Sequence, residues 1–386
     1  MKILIYEWGA YTQKDVNTTL KENNISFKSV SYKFKDKNQD DFFMNRFEKY
    51  LQEDQYDAVF SINYFPLVAQ ACFHHSIKYI SWSYDNPLDV RQIEDTLGYF
   101  TNYVFLFDQV QVQTYIKKGY QNIFHMPLAV NTNRLDQLKI TAVDHQKYDA
   151  EISFVGKLYP SPMLELLQPL PDYSKGYLDA MMEAQLKVYG YYMIDELLTD
   201  DFMKNLNQQY VKSLGHSNFK LSREELSYAM ATNITRKERL TILALLSNYH
   251  QVKLYSREQH QALSKVIHMG SAKYDEEMPK IFKSTKINLN ITLKILQTGI
   301  PLRVLDILGA GGFLLTNYQE EIFQYFENER DLVMYQSIED AYEKVNFYLK
   351  HDDIREKIAI SGYEKVKENF SYKKQLNAIF KAADIS

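Results

Sequence analysis

Short apolar runs alternate with longer helical segments along most of the chain. Apolar runs that are each followed by turn residues are typical of buried parallel strands, and their alternation with helices predicts βαβ units. The strands predicted in the first half are 2–6, 26–32, 58–61, 79–82, 103–107 and 122–125, and the helices between them include 40–53 and 65–74. The pattern predicts an α/β domain over residues 1–135.

A second series of the same kind follows the polar segment 131–148, which has no clear periodicity and is interpreted as a linker. Its predicted strands are 150–155, 251–255, 287–290, 312–316 and 331–334, and its helices include 235–247 and 303–308. Residues 162–230 are helical in pattern and rich in Met, Leu and Tyr, which predicts an inserted helical subdomain. We assign a second α/β domain to residues 149–370 and a last helix to residues 371–386.

One segment of the second domain combines strand, loop and helix with polar residues. Lys286-Ile-Asn-Leu-Asn-Ile-Thr292 reads as a strand, and Gly299-Ile-Pro-Leu-Arg-Val-Leu-Asp-Ile-Leu-Gly-Ala-Gly-Gly-Phe-Leu-Leu-Thr316 reads as helix, glycine turn and strand. Backbone N–H groups at a helix start bind phosphate, and Gly299 lets them approach the anion. Arg303 and Asp306 share one helical face, where they suit phosphate oxygens and ribose hydroxyls. The segment predicts a nucleoside diphosphate pocket.

Composition narrows the class of function. The 386 residues are 45% hydrophobic and 24% charged, as in a globular protein, and the net charge of −4 disfavours a role in binding nucleic acid. Glu7 interrupts the apolar N-terminal run, while Arg303 and Asp306 interrupt the longest apolar region, so we expect neither a signal peptide nor a transmembrane segment. The single cysteine, Cys72, allows no internal disulfide and fits a cytoplasmic location.

Several segments together resemble one family of enzymes. They are Tyr274-Asp-Glu-Glu-Met-Pro279, 287–291, 299–316 and Tyr363-Glu-Lys-Val-Lys-Glu-Asn-Phe-Ser371 in the second half, and Trp82-Ser-Tyr-Asp-Asn-Pro87, Phe105-Leu-Phe-Asp108 and 115–127 in the first. These segments resemble the CgeB-like (spore maturation protein) bacterial glycosyltransferases, whose C-terminal domain is similar to that of the group 1 glycosyl transferases. The resemblance covers most of the chain but not residues 161–233.

The resemblance implies the GT-B fold, in which two Rossmann-like domains face a cleft. It implies that the second domain binds a nucleotide-diphospho-sugar, that the acceptor enters over the first domain, and that the last helix crosses back to that domain. The expected reaction is transfer of a hexosyl group to a hydroxyl of a glycan, a protein or a small molecule. The oligomeric state is left open.

Further donor contacts are expected at the carboxyl edge of the second sheet, where open α/β sheets bind ligands. Gly156 and Lys157 follow its first strand, and related GT-B enzymes often use a basic residue there to neutralise the diphosphate. Asn290 and Thr292 end the strand before the glycine-rich segment, and His268 lies near the expected base pocket. Ordinary surface or turn chemistry fits Lys157, Asn290 and Thr292 equally well.

The catalytic base is expected in the first domain, at the carboxyl end of a strand. Asp85, in an aromatic and rigid turn, is the first choice, Glu7 after the first strand is the second, and Asp108 is a third. A carboxylate at such a position can deprotonate an acceptor hydroxyl if burial raises its pKa toward neutrality. Each of the three is also an ordinary helix N-cap or turn residue when taken alone.

The sequence contains no Asp-x-Asp motif, no Cys/His cluster for zinc and no phosphate loop of the NTPase type. We therefore expect an enzyme that requires neither a metal ion nor a cofactor and that uses a nucleotide-diphospho-sugar as its donor substrate. Asp306 stands where GT-B enzymes usually carry a glutamate. Thr298 stands where the GT-B enzymes that retain the anomeric configuration carry a second glutamate. The stereochemistry thus stays open, and two alternatives remain: a nucleotide-sugar epimerase on the same fold and a non-catalytic nucleotide-sugar-binding protein.

Overall fold

The computed structural model describes residues 1–34, 36, 38–86, 88, 93–215 and 220–385. The chain folds into two compact units, each an α/β domain with a six-stranded parallel sheet. The first unit contains Met1–Arg134, Gly299–Leu305 and Lys365–Ser386, and the second contains Leu135–Thr298 and Asp306–Glu364. The predicted α/β architecture is confirmed.

The strands of the described residues are numbered in chain order. They are β1 (Lys2–Glu7), β2 (Ser26–Ser31), β3 (Ala58–Ile62), β4 (Lys78–Trp82), β5 (Asn102–Leu106), β6 (Ile123–His125), β7 (Ala150–Val155), β8 (Val252–Tyr255), β9 (Ile267–His268), β10 (Thr285–Asn290), β11 (Leu314–Asn317) and β12 (Val333–Tyr335).

The α-helices are numbered in the same way. They are α1 (Gln13–Glu22), α2 (Asp41–Glu53), α3 (Pro66–His74), α4 (Glu94–Leu97), α5 (Gln109–Lys117), α6 (Thr132–Asp136), α7 (Ala142–Tyr148), α8 (Met163–Leu167), α9 (Asp172–Leu186), α10 (Ile194–Leu197), α11 (Asp200–Leu214), α12 (Arg223–Ser247), α13 (Met278–Ser284), α14 (Leu302–Gly309), α15 (Ile338–Tyr348), α16 (Asp352–Asn369) and α17 (Tyr372–Ala382). Short 3₁₀ helices cover Gln261–Leu263 and Glu320–Gln324.

The first sheet has the strand order β2-β1-β3-β4-β5-β6, so its order reverses between β1 and β3. All residues of β3 are buried, as expected for a central strand with helices on both faces. Its core packs residues such as Leu4 and Val59 of the sheet against Phe47 and Val68 of the helices. The reversal matters because ligands of open α/β sheets bind outside the carboxyl ends of strands at this point.

The second sheet has the strand order β12-β11-β10-β7-β8-β9 and reverses between β7 and β10. Its core joins Phe154 and Leu289 of the sheet to Leu243 of α12 and Val345 of α15. The predicted strands are present in both sheets, and their ends differ from the prediction by at most two residues. The two-residue strand β9 was not predicted, because so short a segment shows no periodicity.

The segment 162–230 is helical as predicted, with residues 216–219 of it outside the described residues. Its helices α8 to α11 pack with the first half of α12 around a core of their own, which includes Leu178, Met182, Leu206 and Met230. The structure differs from the prediction at the end of this segment. The predicted helix 235–247 is the second half of α12, which starts at a capping box of Ser222 and Glu225 and continues without interruption.

The segment interpreted as a linker contains two helices, α6 and α7. Helix α7 begins with a capping box in which Thr141 and Asp144 satisfy each other's backbone N–H groups. Ion pairs then attach it to α13: Lys280 lies 2.9 Å from Asp144, and Lys147 lies 2.8 Å from Glu277. Polar pairing of this kind leaves no apolar periodicity in the sequence, which is why the helix was missed.

The end of the chain packs within the first unit. The N–H of Val130 donates to the carbonyl of Phe370 over 2.9 Å, and the ring of Tyr372 meets that of Trp82 edge-on at 6.0 Å. Lys78 also donates to the carbonyl of Ala383 over 2.9 Å. No helix among the described residues is both long enough and apolar enough to cross a membrane.

The ion pair of Asp144 should make the stability of the protein depend on acid pH. Lys280, with help from Thr141, lowers the pKa of the Asp144 carboxyl from 3.8 to about 2. A pKa that is lower in the folded state adds stability above the unfolded value, and that stability is lost as the pH falls from 3.8 toward 2. Asp144→Asn should therefore reduce the midpoint of urea unfolding clearly at about pH 6 and much less at about pH 3.

Asp353→Asn is the matched control, because Asp353 is an exposed carboxylate 3.9 Å from Lys357 on the same helix. It should change the unfolding midpoint little at either pH. An effect of Asp144→Asn that is equally large at both pH values would contradict this account.

Candidate functional site

The candidate site lies at the carboxyl ends of β7 and β10, the neighbouring strands between which the order of the second sheet reverses. Gly156 and Lys157 follow β7, while Asn290 ends β10 and Thr292 lies just beyond it. The parallel pairing of the two strands brings these four predicted residues to one edge of the sheet. They form the centre of the site.

Arg239 of α12 bridges the two loops at this edge. Its Nε donates to the carbonyl of Ile291 over 3.0 Å, Nη2 donates to the same oxygen, and Nη1 donates to the carbonyl of Lys157. The guanidinium lies 5.0 Å from the ring centroid of Phe154 and 4.8 Å from that of Tyr159, and burial lowers its pKa. One buried cation therefore fixes the loops after β7 and β10 relative to each other.

Glu238, the residue before Arg239 on α12, forms a buried ion pair. Its carboxylate has no solvent exposure and lies 3.1 Å from Nζ of Lys294, which follows β10. Tyr189 and Tyr335 donate to its other oxygen over 2.7 and 3.3 Å. Burial raises the pKa of both tyrosines and lowers the pKa of Lys294. Because Tyr189 belongs to the helical insertion, this cluster joins the insertion to the loop after β10.

A small polar cavity lies beside the ion pair. It is lined by the insertion loop at 188–191, by the loop after β10 including Lys294, and by residues 317–319 at the end of β11. Gly190 has a φ of +76°, and a Cβ there would lie 2.5 Å from the ring of Tyr318. Only glycine fits this close approach, so the insertion loop packs directly on the edge of the sheet.

Asn290 and Thr292 belong to a buried hydrogen-bond network at the end of β10. The amide of Asn290 donates to the hydroxyls of Thr292 and Thr316 over 3.0 and 2.9 Å. The N–H of Thr292 donates to the side chain of Asn317 over 2.7 Å. These contacts shape the loop, and the expected donor contacts of the two residues stay a prediction.

The other residues predicted on this sheet have different surroundings. Gly156 is half-buried, and a Cβ there would lie 3.2 Å from the ring of Phe154. The side chain of Lys157 is exposed, so its ammonium is accessible to a ligand. His268 lies on β9 at the outer edge of the sheet, away from β10, and its Nε2 is 2.8 Å from the carbonyl of Glu258.

Arg303 and Asp306 lie on α14, as predicted. Arg303 is half-buried, whereas Asp306 is buried and accepts a hydrogen bond of 2.8 Å from the hydroxyl of Tyr274. Thr298 donates over 2.6 Å to Glu321, a buried carboxylate of the 3₁₀ helix after β11. Sequence reasoning missed Tyr274 as a partner of Asp306 and Glu321 as a partner of Thr298, because the members of each pair are far apart in the chain.

Gly299 has a close neighbour within the first unit. Its N–H donates over 3.3 Å to Asp108, and a Cβ at this position would lie 2.6 Å from the carbonyl oxygen of Phe107. Asp108 also caps α5 by accepting from the N–H of Gln111 over 3.0 Å. The N–H of Gly299, which was expected to bind phosphate, thus donates to the carboxylate of Asp108 in this structure. Glycine is required at position 299 because its backbone lies so close to the backbone of Phe107.

The carboxyl edge of the first sheet carries Glu7 and Asp85. Glu7 ends β1 and accepts from the amide of Asn17 over 2.8 Å. Asp85 follows β4 and accepts from the amide of Asn63 over 2.6 Å. Asn63, which follows β3 with a φ of +66°, also accepts from the N–H of Tyr84 over 3.0 Å. Pro87, the last residue of the predicted rigid turn, lies outside the described residues.

Arg239 and Glu238 were missed in the sequence, although a signal for them exists. They fall on the stripe of α12 that also carries Thr235, Ile242 and Leu246, all buried. Charged residues on a core-facing stripe are rare unless they are paired. Within the described ranges, no group of three or more His, Cys, Asp or Glu is placed to hold a metal ion.

One segment of the chain matches the model of a known protein family. Residues 231–381 match the model of the Glycosyl transferase-like family. No curated protein matched the chain. The matched segment begins within α12 and includes β10 and α14.

Solved structures share the fold over their whole length. HepE (Alr3699) of Anabaena in complex with UDP is 11% identical, with 99% of this chain and 100% of that chain covered and a TM-score of 0.51. Its complex with UDP-glucose is 12% identical, with 100% and 99% covered and a TM-score of 0.52. Sucrose-phosphate synthase of Thermosynechococcus elongatus is 10% identical, with 99% and 98% covered and a TM-score of 0.58. The predicted GT-B fold is confirmed.

The bridge made by Arg239 should contribute to stability through its planar shape. Lysine keeps the charge but lacks the fork that reaches the carbonyls of Lys157 and Ile291 together. Arg239→Lys should therefore lower the free energy of unfolding by roughly 1.5–3 kcal/mol, the range for hydrogen bonds of a charged group. Urea unfolding followed by circular dichroism measures the change.

Arg236→Lys is the matched control, because Arg236 lies one turn earlier on α12 and makes one hydrogen bond of 2.9 Å, to the carbonyl of Tyr159. It should cost less than Arg239→Lys. Equal losses in the two variants would show that bridging the two loops has no special role.

Proposed function

We propose that the protein is a glycosyltransferase that moves a hexosyl group from a nucleotide-diphospho-sugar to an acceptor hydroxyl. The observation that carries this proposal is the match of residues 231–381 to a glycosyl transferase-like family, because that segment contributes β10 and α12 to the reversal point of the second sheet. HepE, which has the same fold, was solved with UDP and UDP-glucose, so a UDP-sugar is the first donor to test.

In this proposal the donor binds with its diphosphate at the loops after β7 and β10. Lys157, exposed at this edge, and Arg303, half-buried on α14, neutralise the diphosphate as it leaves. Asp306 accepts a ribose hydroxyl, and the hydroxyl of Tyr274 orients its carboxylate. Gly156, Asn290, Thr292 and Gly299 shape the backbone around the donor, and His268 belongs to the base pocket.

The proposed reaction exchanges one bond at the anomeric carbon for another. The acceptor oxygen forms a bond to the anomeric carbon, and the bond from that carbon to the diphosphate oxygen breaks. In an inverting reaction the proton of the acceptor hydroxyl passes to Asp85 or Glu7. In a retaining reaction the departing phosphate oxygen accepts it instead. Cationic side chains stabilise the leaving diphosphate in both cases, so the proposal requires no metal.

We also propose that the protein belongs to the CgeB-like bacterial family and that it is located in the cytoplasm. Membership of the CgeB-like bacterial family rests on the segments at 82–87, 274–279 and 363–371. A cytoplasmic location is supported by Cys72, the single cysteine of the chain, which is buried and forms no disulfide.

Arg303→Ala should weaken binding of UDP by roughly 1.5–3 kcal/mol, because a charge-assisted contact to phosphate is removed. Isothermal calorimetry with UDP measures the change. Arg330→Ala is the control, because Arg330 is an exposed arginine of the second unit whose partner is Glu327. If the folded Arg303→Ala variant binds UDP as tightly as the control does, Arg303 is not part of the donor site.

Asp85→Asn keeps the shape and hydrogen bonding of the side chain but removes its basicity. If Asp85 is the base, sugar transfer measured in EDTA should fall by roughly 10²–10⁴-fold while UDP affinity stays unchanged. Glu7→Gln is the parallel variant. Near-normal transfer in both variants would exclude these carboxylates as the base, and the anomeric configuration of the product, read by NMR, would then distinguish a retaining reaction from a base elsewhere.

A further inference from the structure

Two aromatic rings lie at the reversal point of the first sheet. Trp8 follows β1, and 36% of its surface is exposed. Its indole N–H donates over 2.7 Å to the carbonyl of Ile62 at the end of β3, so the ring spans the two strands between which the order reverses. The ring of Tyr84, after β4, stacks on it with centroids 6.1 Å apart and planes inclined by 27°.

The two rings are fixed before any ligand binds. Phe65 supports Trp8 with centroids 6.2 Å apart and an inclination of 61°. The backbone of Tyr84 is held by Asn63, which accepts its N–H over 3.0 Å. A preformed surface of this kind loses little conformational freedom when a ligand binds.

Polar groups adjoin both rings. Asp85 follows Tyr84 and is oriented by Asn63, and Glu7 precedes Trp8. Burial and the nearby charge of Asp85 raise the pKa of the Tyr84 hydroxyl, so the ring carries no charge of its own. Two carboxylates disfavour an anionic ligand, whereas hydroxyl groups can donate to them.

We propose that Trp8 and Tyr84 form a stacking platform for a neutral sugar ring, so that the acceptor is a carbohydrate. The apolar C–H face of a pyranose packs on the aromatic faces, while hydroxyls at its rim reach Asp85 or Glu7. One hydroxyl is thereby presented to a carboxylate that can take its proton. This inference rests on the proposed function and narrows its acceptor from a glycan, a protein or a small molecule to a carbohydrate.

The chain provides its own reporter for the test. It contains two tryptophans, Trp8 and Trp82, and Trp82 is only 4% exposed. Titration with a panel of neutral trisaccharides should produce a saturable change in tryptophan emission from the wild-type protein. The change should persist in Trp82→Phe and disappear in Trp8→Phe. Saturation-transfer NMR should still detect sugar binding by Trp8→Phe, because phenylalanine keeps an aromatic face.

Variants without an aromatic face measure the platform itself. Trp8→Leu and Tyr84→Leu should weaken sugar binding by about tenfold or more and raise the KM for the acceptor, with UDP affinity unchanged. Phe100→Leu is the matched control, because Phe100 is a 65% exposed ring at the amino end of β5, the opposite edge of the sheet.

Each of the following binding results would overturn the inference: no saturable binding of any trisaccharide, Trp8→Leu binding sugar as the wild type does, or an emission change that survives in Trp8→Phe. Transfer to a peptide serine or to a simple alcohol, without transfer to sugars, would also overturn it and would leave the proposed glycosyltransferase function standing. Sugar binding that depends on Trp8 without transfer from any nucleotide sugar would instead count against the proposed function.

Discussion

One buried guanidinium determines the shape of the candidate donor site. Arg239 donates to the carbonyls of Lys157 and Ile291, which follow the two strands between which the second sheet reverses its order. Backbone that leaves a parallel sheet has polar groups that need partners. Because one planar side chain satisfies both carbonyls, the two loops keep one relative position, and the edge at which a donor would bind is formed in advance.

The same helix connects this edge to the helical insertion. Glu238 is adjacent to Arg239 and binds Lys294 of the β10 loop and Tyr189 of the insertion. A buried ion pair of this kind stabilises little by itself, but loss of one partner leaves a charge without compensation. The insertion is therefore part of the architecture of the site, and the unbroken helix α12 joins its core to the core of the sheet.

The sequence predicts the sheets well because each buried parallel strand is a short, continuous apolar run, and turn residues mark where the run stops. The predicted ends of the strands indicate which residues share one edge of the sheet. Gly156, Lys157, Asn290 and Thr292 share such an edge in the structure. Contacts between side chains and distant backbone were not predictable. Every residue has a backbone carbonyl, so the identity of a residue does not show whether its carbonyl will be a partner. The sequence therefore contains no sign that Arg239 binds the carbonyl of Ile291 or that Gly299 approaches Phe107. Helix α7 was missed for a related reason, since ion pairs rather than an apolar face attach it to α13.

Hydrogen exchange with and without UDP tests the central claim, that the donor binds at the reversal point of the second sheet. If the donor binds there, backbone amides should exchange more slowly in two segments that are distant in sequence, 156–158 after β7 and 291–303 from the end of β10 into α14. Protection at one segment only would already weaken the claim. Protection confined to the first sheet, or none at a UDP concentration that saturates binding by calorimetry, would contradict it.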